Sequence, residues 1–268
     1  MKSVNSILSV VNAKGGVGKT TTAISIAGCL ARLGYKTLAI DTDLQANLTH
    51  SLIGREGDHK CIADALEAEE PLDRYIIETH IPNLSIVPSG ETLLLADLKF
   101  AGRTAREYML RDAILRTETE FDFVIIDTHP YFGLCTLNAL AASTHYLIPL
   151  MAEFYSITGL KLLQDLIASE SRKLNPNLEL LGILLTKYDK RESISEQAKS
   201  MLEAQAEGLL FNTVIRTNTR FKSAPAGKET IFEVEQELSD RKGSDDYEAV
   251  VYEILQRLGM NEEAVSNG

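Results

Sequence analysis

The run Lys14-Gly15-Gly16-Val17-Gly18-Lys19-Thr20-Thr21 constrains the fold of this chain more than any other feature. It follows an apolar stretch, Ile7 to Asn12, that predicts a buried strand, and it precedes apolar residues at helical spacing from Ala23 to Leu30. A strand, a glycine loop and a helix in this order form a phosphate-binding loop. The glycines let backbone N–H groups turn toward phosphate oxygens, and the helix N-terminus adds partial positive charge. We therefore expect Lys19 and Thr20 to reach the β- and γ-phosphates and Mg²⁺ of a bound nucleotide.

Length and composition favour one cytoplasmic α/β domain. The chain has 268 residues, enough for a sizeable core, and we expect a single domain over residues 1–268. No stretch approaches the roughly 18 continuous apolar residues of a membrane span, and the N-terminus lacks the pattern of a secretion signal. Cys29, Cys61 and Cys135 have no C-x-x-C spacing, which argues against a disulfide framework or a zinc site.

The alternation of apolar runs with helical stretches predicts a three-layer α/β fold, in which helices flank a mostly parallel twisted sheet. The predicted strands are Ile7 to Asn12, Thr37 to Asp41, Leu84 to Pro88, Phe123 to Asp127, His145 to Pro149, Leu180 to Thr186 and Phe211 to Ile215. Gly34 is placed to end the first helix, and Ser193 to Gly208 predicts an exposed helix. The irregular region Gly54 to Arg111 predicts helices at the edge of the sheet.

Two of the predicted strands end in carboxylates. Asp41 and Asp43 lie at the end of the second strand, and Asp127 ends the fourth. In an open α/β sheet the carboxyl ends of the strands border the ligand crevice. A buried strand ending in one carboxylate is the Walker B arrangement, which predicts Asp127 near Mg²⁺. An Asp-x-Asp pair can also begin a turn, so the prediction for Asp43 depends on the phosphate loop before it.

An ordinary phosphate loop has a glycine where this chain has Ala13 and does not require Lys14. With this early lysine the sequence resembles the deviant Walker A ATPases, the group of P-loop NTPases that includes ParA, MinD, the arsenite-pump ATPase and the nitrogenase iron protein. The resemblance implies that Lys14 reaches across a dimer interface to the partner's nucleotide. It also implies that Lys14, Lys19 and Asp43 are catalytic, with Asp43 orienting the attacking water, and that Thr20, Asp43 and Asp127 lie at the metal.

Along most of its length the chain is similar to the small chromosomal ParA (Soj-like) proteins. The segment Ile40 to Thr49 resembles their I-D-x-D-P-Q-x-N-x-T motif, and Thr128-His129-Pro130 stands where they have Asp-x-Pro-Pro. His129 could hydrogen-bond a phosphate, or it could be a histidine tolerated at a turn. The resemblance implies that ATP is held by Lys14 to Thr21 and that its adenine is flanked by Thr186, Lys187, Ile215, Arg216 and Asn218. Arg216 replaces the usual proline.

The formal net charge is −11, but residues 187–228 carry a net charge of +3 and residues 229–268 carry −8. The charge distribution decides what a surface binds, so the basic segment is a candidate nucleic-acid surface. The resemblance implies that Arg191 and Arg220 are non-specific DNA contacts. Further candidates are Lys187, Lys190, Arg216, Lys222 and Lys228. The alternative is a solvated surface of mixed charge.

The resemblance implies a weak Mg²⁺-dependent ATP hydrolase that forms a homodimer in the ATP state, binds DNA non-specifically and partitions chromosome or plasmid DNA. A ParB-like protein would stimulate hydrolysis, and the protein would lie on the bacterial nucleoid, not on a membrane. One alternative is a MinD-like or cargo-positioning ATPase. A membrane-bound form would need a basic amphipathic C-terminal helix, whereas Tyr247 to Leu258 carries Glu248 and Glu253 and is expected to pack on the core. A metallocluster ATPase would need cysteines at the dimer interface.

Overall fold

The computed structural model describes residues 6–54, 59–206 and 208–260. The strands are β1 (Ser6–Val10), β2 (Thr37–Asp41), β3 (Ile77–Glu78), β4 (Leu84–Val87), β5 (Phe123–Asp127), β6 (His145–Met151) and β7 (Glu179–Thr186). The helices are α1 (Lys19–Arg32), α2 (Asn47–Ile53), α3 (Ile62–Ala68), α4 (Ala96–Lys99), α5 (Met109–Arg116), α6 (Leu134–Ala142), α7 (Phe154–Leu174), α8 (Ser193–Gln205), α9 (Arg220–Gly227), α10 (Ile231–Val234) and α11 (Lys242–Arg257). Short 3₁₀ turns cover Leu72–Arg74, Glu91–Leu95 and Arg106–Tyr108.

The strands form one sheet in the order β3-β4-β2-β5-β1-β6-β7, with β3 antiparallel to β4 and the other pairs parallel. Asp127, the last residue of β5, is in register with Val10 of β1 and with Asp41 of β2. The carboxyl ends of these three central strands therefore meet at one edge. This topology confirms the predicted three-layer fold and brings the phosphate loop, which follows β1, beside both strand-terminal carboxylates.

The central strand β5 is buried on both faces, as expected for a parallel sheet covered by helices. Phe123 and Ile125 pack in a cluster with residues of α1, α10 and α11. Val124 and Ile126 point the other way, into a cluster with residues of α3, α5 and α6. A third cluster packs α7 and α8 against β6 and β7. Successive side chains of one strand thus build two core layers, which explains the unbroken apolar run in the sequence.

The last described helix, α11, packs its apolar face on the core. Val250, Val251, Ile254 and Leu255 are all buried. The prediction of core packing is therefore confirmed, and this face is not available for a membrane surface. Among residues 6–54, 59–206 and 208–260, no helix has the length and apolar character needed to cross a membrane.

The cysteines offer little support for the metallocluster alternative. Cys29 and Cys61 are buried in the core clusters, and Cys135 is half-buried on α6. Burial raises the pKa of the Cys29 thiol to about 12, which disfavours the thiolate that ligates a cluster. The two buried cysteines are thus unsuited to holding a cluster between subunits.

One predicted strand is wrong: Phe211 to Ile215 is not a strand, although its two ends bond to the neighbouring β7. The Phe211 N–H donates to the Ile183 carbonyl, and the Ile215 N–H donates to the Leu185 carbonyl. Between these ends, the backbone N–H groups of Asn212 and Thr213 donate to the Glu253 carboxylate on α11 instead. A side chain from another element therefore interrupts the ladder, which a local apolar pattern does not reveal.

Other boundaries differ by small amounts. Strand β1 ends at Val10, two residues before the predicted end, and the two-residue β3 was not predicted. Gly34 has a φ of +94° just after α1, as expected of a helix-ending glycine. The exposed helix predicted from Ser193 is present as α8, ending at Gln205.

Candidate nucleotide-binding site

The loop between β1 and α1 is an open cradle of backbone. Gly16 and Gly18 have φ angles of +75° and +93°, a region that side-chain-bearing residues rarely adopt. A Cβ added at Gly15 or Gly16 would meet nothing within 4 Å, so space lies in front of the loop. Gly18 is the N-cap of α1, with no side-chain cap bond from the described residues and no acidic residue in the first turn. The first N–H groups of α1 can therefore bind an anion.

The two lysines of the loop point to different surroundings. Lys19 is only 6% exposed, and its Nζ lies 3.3 Å from the Lys14 carbonyl oxygen. Burial lowers the pKa of Lys19, while Asp127 and Asp43 oppose that shift. The Lys14 side chain is 51% exposed, and its Nζ lies 2.8 Å from Oε2 of Glu153. One cation thus serves the interior of the site and the other lies on its outer surface.

Asp127 is a buried carboxylate that lacks a well-formed hydrogen bond from the described residues. It is 0% exposed, and neither of its carboxylate oxygens has a hydrogen bond of ordinary geometry from the described residues. Burial raises the pKa of Asp127 well above its ordinary value, and the neighbouring Asp41 adds to the rise, whereas Thr20 and Lys19 oppose it. Such an orphaned carboxylate is costly unless a cation compensates it. The residues present therefore fit a hard divalent cation such as Mg²⁺ beside Asp127 and Thr20.

Asp41 organises the turn that follows β2. Its Oδ2 accepts bonds from the backbone N–H of Thr49, at 2.9 Å, and from the Thr49 hydroxyl, at 2.7 Å. Its Oδ1 accepts the N–H of Asp43 at 3.0 Å. Burial raises the pKa of Asp41 to about 6, although these hydrogen bonds act in the opposite direction. Asp41 is therefore a structural link between β2 and α2, while Asp43 is carried on the turn it fixes.

Asp43 is nearly buried on the turn after β2, where its side chain faces the loop after β5. Its Oδ1 accepts the backbone N–H of Gln45 at 2.9 Å, and its own carbonyl accepts the Ser89 hydroxyl at 2.6 Å. Nε2 of His129 lies 3.8 Å from the same Oδ1. The structure thus brings Asp43 close to the Asp127 and Lys19 groups, with which it interacts electrostatically.

The end of β7 packs against the phosphate loop. The Thr186 hydroxyl donates to the Val17 carbonyl at 2.8 Å, and its Cγ2 lies close to Gly18. The following residue, Lys187, is exposed and has a φ of +52°. Ile215 is buried beside this turn, where its carbonyl accepts the Tyr188 N–H. Of the residues expected to flank the base, Thr186 therefore contacts the phosphate loop, and Lys187 and Ile215 lie in or beside the turn that follows Thr186.

Two carboxylates fix the segment that follows Ile215. Arg216 donates its backbone N–H and its Nε to Asp246 of α11, at 2.9 Å each to different oxygens. Glu235, which is 0% exposed, accepts bonds from the Asn218 amide at 2.8 Å and from the Arg220 guanidinium at 3.1 Å. Two of the three arginines that were candidates for DNA contact, Arg216 and Arg220, thus bind carboxylates of their own chain.

The remaining basic candidates are exposed. Arg191 lies 2.6 Å from Asp189, yet its side chain is 85% exposed. Lys187, Lys190 and Lys222 are exposed and form no ion pair with the residues that the structure describes. The first two lie in the turn after β7, and the third lies on α9. These lysines are the cations most readily available to an anionic partner.

Sequence reasoning did not assign three groups that shape the site. The Asn12 amide donates to the Pro149 carbonyl, and its Oδ1 accepts the Lys14 N–H, so it anchors the start of the loop. Ser89 holds the Asp43 carbonyl, and Glu153 pairs with Lys14. Asn12, a polar residue ending an apolar run, was a usable signal. Ser89 and Glu153 had none, because their contacts join segments distant in sequence.

Comparison with known proteins identifies close relatives. A sequence profile described as an AAA domain matches residues 5–180. The chain is 36% identical over 257 residues to the chromosome partitioning protein ParA of Myxococcus xanthus, covering 95% of this chain and 89% of that protein. It is also 36% identical over 250 residues to the cell division protein PomZ of the same bacterium, covering 92% and 77%.

A solved structure extends the likeness to a nucleotide complex. Cobyrinic acid a,c-diamide synthase from Mycobacterium smegmatis, with a bound ATP analogue and magnesium, superposes with a TM-score of 0.74 at 28% identity. The match covers 88% of this chain and 97% of that chain.

Proposed function

The chain belongs to the ParA/Soj family of partitioning and positioning ATPases, and on that premise we propose that it is an ATP-driven dimerisation switch that binds DNA. ATP binding joins two copies, the dimer binds DNA without sequence preference, and hydrolysis returns the protein to monomers. The cargo is chromosome or plasmid DNA, and a ParB-like protein stimulates hydrolysis on the nucleoid.

The phosphate loop and its surroundings supply the ATP site. The open backbone of Gly15 to Gly18 and the uncapped N-terminus of α1 bind the phosphates, and the buried Lys19 offsets their negative charge. Thr20 and Asp127 would hold Mg²⁺, which would supply positive charge to offset the negative charge that develops during transfer. The orphaned Asp127 carboxylate supports this assignment.

Asp43 orients the attacking water. Its carboxylate is nearly buried, accepts the Gln45 N–H, and interacts electrostatically with Lys19 and Asp127 beside the phosphate loop. A carboxylate there accepts a hydrogen bond from the water and directs its oxygen toward phosphorus. Removing it should slow hydrolysis while leaving nucleotide binding in place.

The outward position of Lys14 is the observation that carries the switch proposal. Its own loop already holds Lys19, so a second cation with its side chain 51% exposed is free to serve another molecule. Its ion pair with Glu153 is half-exposed, and such pairs contribute at most about 1 kcal/mol. A partner's phosphate, which carries more charge, can replace that carboxylate at low cost. Dimerisation would therefore depend on the nucleotide in both subunits.

The exposed lysines after β7 and on α9 support the DNA-binding part of the proposal. Lys187 and Lys190 are linked to the start of the α9 region, because Tyr188 and Arg216 form a parallel bridge. Lysines of this kind contact phosphates, so the affinity should be independent of sequence and should fall with salt. A dimer doubles the number of contacts, which makes DNA binding dependent on ATP.

The cargo has one alternative. The chain is as similar to the cell division protein PomZ as it is to ParA, both at 36% identity. An ATP-dependent DNA-binding dimer can position different cargoes on the same nucleoid. Deletion of the gene followed by imaging of the replication origin and of the division site separates the two: partitioning predicts misplaced origins, and cargo positioning of the PomZ kind predicts misplaced division sites.

DNA-binding measurements test the switch directly. We would measure fluorescence anisotropy of a non-specific duplex with ATP, with ADP and without nucleotide, for the parent, Lys14→Ala and the double variant Lys190→Ala/Lys222→Ala. The control is Lys36→Ala, an exposed lysine at the start of β2, at the opposite edge of the sheet.

The parent should bind only with ATP, the control should match it, and Lys14→Ala should not bind. The double variant should bind more weakly, and its dependence on salt should fall by about one unit of log–log slope for each lysine–phosphate interaction that the substitutions remove. Equal binding without nucleotide would refute the switch. An unchanged salt slope in the double variant would show that Lys190 and Lys222 do not contact DNA phosphates.

A further inference from the structure

His129 is a polar residue beside Asp43, and neither phosphate binding nor metal binding accounts for it. It lies in the loop after β5, and its side chain is 25% exposed. Two contacts define the ring: the backbone N–H of Tyr131 donates to Nδ1 at 2.9 Å, and Nε2 lies 3.8 Å from Oδ1 of Asp43. The imidazole therefore spans from its own loop to the turn that carries Asp43.

The Tyr131 contact decides which nitrogen carries the proton. Because Nδ1 accepts a hydrogen bond, the neutral imidazole has its proton on Nε2. The edge of the ring that faces Asp43 is then a donor facing a carboxylate. A separation of 3.8 Å is longer than a hydrogen bond, but contacts of this kind in ligand-free sites shorten when the substrate complex forms.

The backbone of Asp43 is anchored, but its carboxylate accepts a hydrogen bond from a single group among the described residues, the Gln45 N–H. Its carbonyl accepts both the Ser89 hydroxyl and the Ala46 N–H, which anchors the backbone. Its Oδ1 accepts the Gln45 N–H at 2.9 Å, which leaves rotation of the carboxylate restrained from one side. A second donor on the same oxygen would restrain it from the other side.

We propose that His129 is a positioning residue for ATP hydrolysis, whose Nε2–H holds the Asp43 carboxylate in the orientation that receives the attacking water. The inference rests on the proposed ATPase function of this site. Water adds to the γ-phosphorus, the bond from that phosphorus to the β,γ-bridging oxygen breaks, and the water's protons end on phosphate and solvent. His129 keeps its proton throughout and acts only through Asp43.

Two substitutions of similar size separate this role from a structural one. His129→Gln retains an N–H donor at a reach close to that of Nε2, whereas His129→Leu removes the donor and keeps the bulk. For each, single-turnover ATP hydrolysis with Mg²⁺ gives the rate constant, and titration calorimetry with a non-hydrolysable ATP analogue gives the affinity. Thermal unfolding checks that both variants are folded.

His129→Leu should hydrolyse ATP about tenfold more slowly, as expected for loss of one hydrogen bond to a charged group, and His129→Gln should recover most of the rate. The affinity for the analogue should change less than twofold in both. Equal rates for parent and His129→Leu, or a Gln variant as slow as the Leu variant, would overturn the proposal. A parallel loss of analogue affinity would also overturn it, because His129 would then contact the nucleotide itself.

A spectroscopic measurement adds an independent readout. In ¹⁵N-labelled protein, the imidazole of His129, assigned by its loss in His129→Gln, should show the tautomer protonated on Nε2. In the presence of the ATP analogue, Asp43→Asn should shift the Nε2 resonance of His129. If His129 does not contact Asp43, the substitution should leave that resonance unchanged, which would overturn the inference. The opposite tautomer would overturn the inference. If the parent itself hydrolyses no ATP while the tautomer and shift are as stated, the proposed function fails and the contact stands.

Discussion

Substitution of the buried Glu235 tests how the segment after Ile215, beside the candidate nucleotide site, is held in place. Its carboxylate accepts four bonds: from the Asn218 amide, the Arg220 guanidinium, and the backbone N–H and hydroxyl of Ser244. Glu235 thereby ties the segment after Ile215 to the first turn of α11. We predict that Glu235→Gln, which keeps the size but removes the charge, markedly destabilises the protein.

The magnitude follows from the geometry of this ion pair. Removing one partner of a buried, hydrogen-bonded pair costs about 3–5 kcal/mol of unfolding free energy. Arg220 keeps 30% exposure, so water can partly solvate it, and we expect the lower end, about 3 kcal/mol. For a chain of 268 residues that corresponds to a fall in Tm of roughly 5–6 °C. The matched control is Glu237→Gln, two residues further along and exposed, which should leave Tm unchanged.

The same variant has a predicted pH dependence. Burial alone raises the pKa of Glu235, but the bonds from Ser244, Asn218 and Arg220 outweigh it and hold that pKa below its ordinary value of 4.5. The stabilisation is therefore present above about pH 4.5 and is lost as the pH falls through the lower folded-state pKa. Thermal unfolding of parent and variant between pH 3 and 7 measures this. A Tm difference below about 2 °C at pH 7, or one that does not shrink in acid, would refute the reasoning.

Further predictions concern the loop itself. Asp127→Asn should raise the Tm of the nucleotide-free, Mg²⁺-free protein. Because burial raises the pKa of Asp127, the parent loses stability as the pH rises above the ordinary range of a carboxyl group, so the difference should grow with pH; a lower Tm for the variant would contradict this. Thr186→Val removes the hydroxyl that donates to the Val17 carbonyl, which should cost about 1 kcal/mol and weaken ATP binding about fivefold in calorimetry. Unchanged affinity would show that this contact does not hold the loop.

The fold was largely predictable because its signals are local. A strand buried on both faces, such as β5, reads as a continuous apolar run, and the prediction of Phe123 to Asp127 matches its bounds. The phosphate loop and Gly34 carry glycines at positive φ, which sequence patterns record well. The failure at Phe211 to Ile215 came from Glu253, a carboxylate about 40 residues away that takes the backbone donors of Asn212 and Thr213.

The sequence predicted a set of site residues that the structure brings together, but it did not predict the partners that those residues contact. The sequence predicted Asp43 and Asp127 at the ends of two strands and Lys19 in the phosphate loop, and the sheet order brings the three together. It did not reveal that Arg220 is bound by Glu235, because a basic residue in a basic segment looks like a surface cation. Ion pairing depends on the tertiary fold, and it leaves as the best candidates for DNA contact the exposed lysines that form no ion pair with the described part of the chain.

The role of Lys14 as a bridge between subunits is the central claim, and sedimentation velocity tests it most directly. An Asp43→Ala background, expected to bind ATP without hydrolysing it, removes turnover from the measurement. With ATP and Mg²⁺ this protein should sediment as a dimer, and with ADP as a monomer. Adding Lys14→Ala should give monomers with ATP, although calorimetry still detects ATP binding. A Lys14→Ala protein that remains dimeric with ATP would contradict the account.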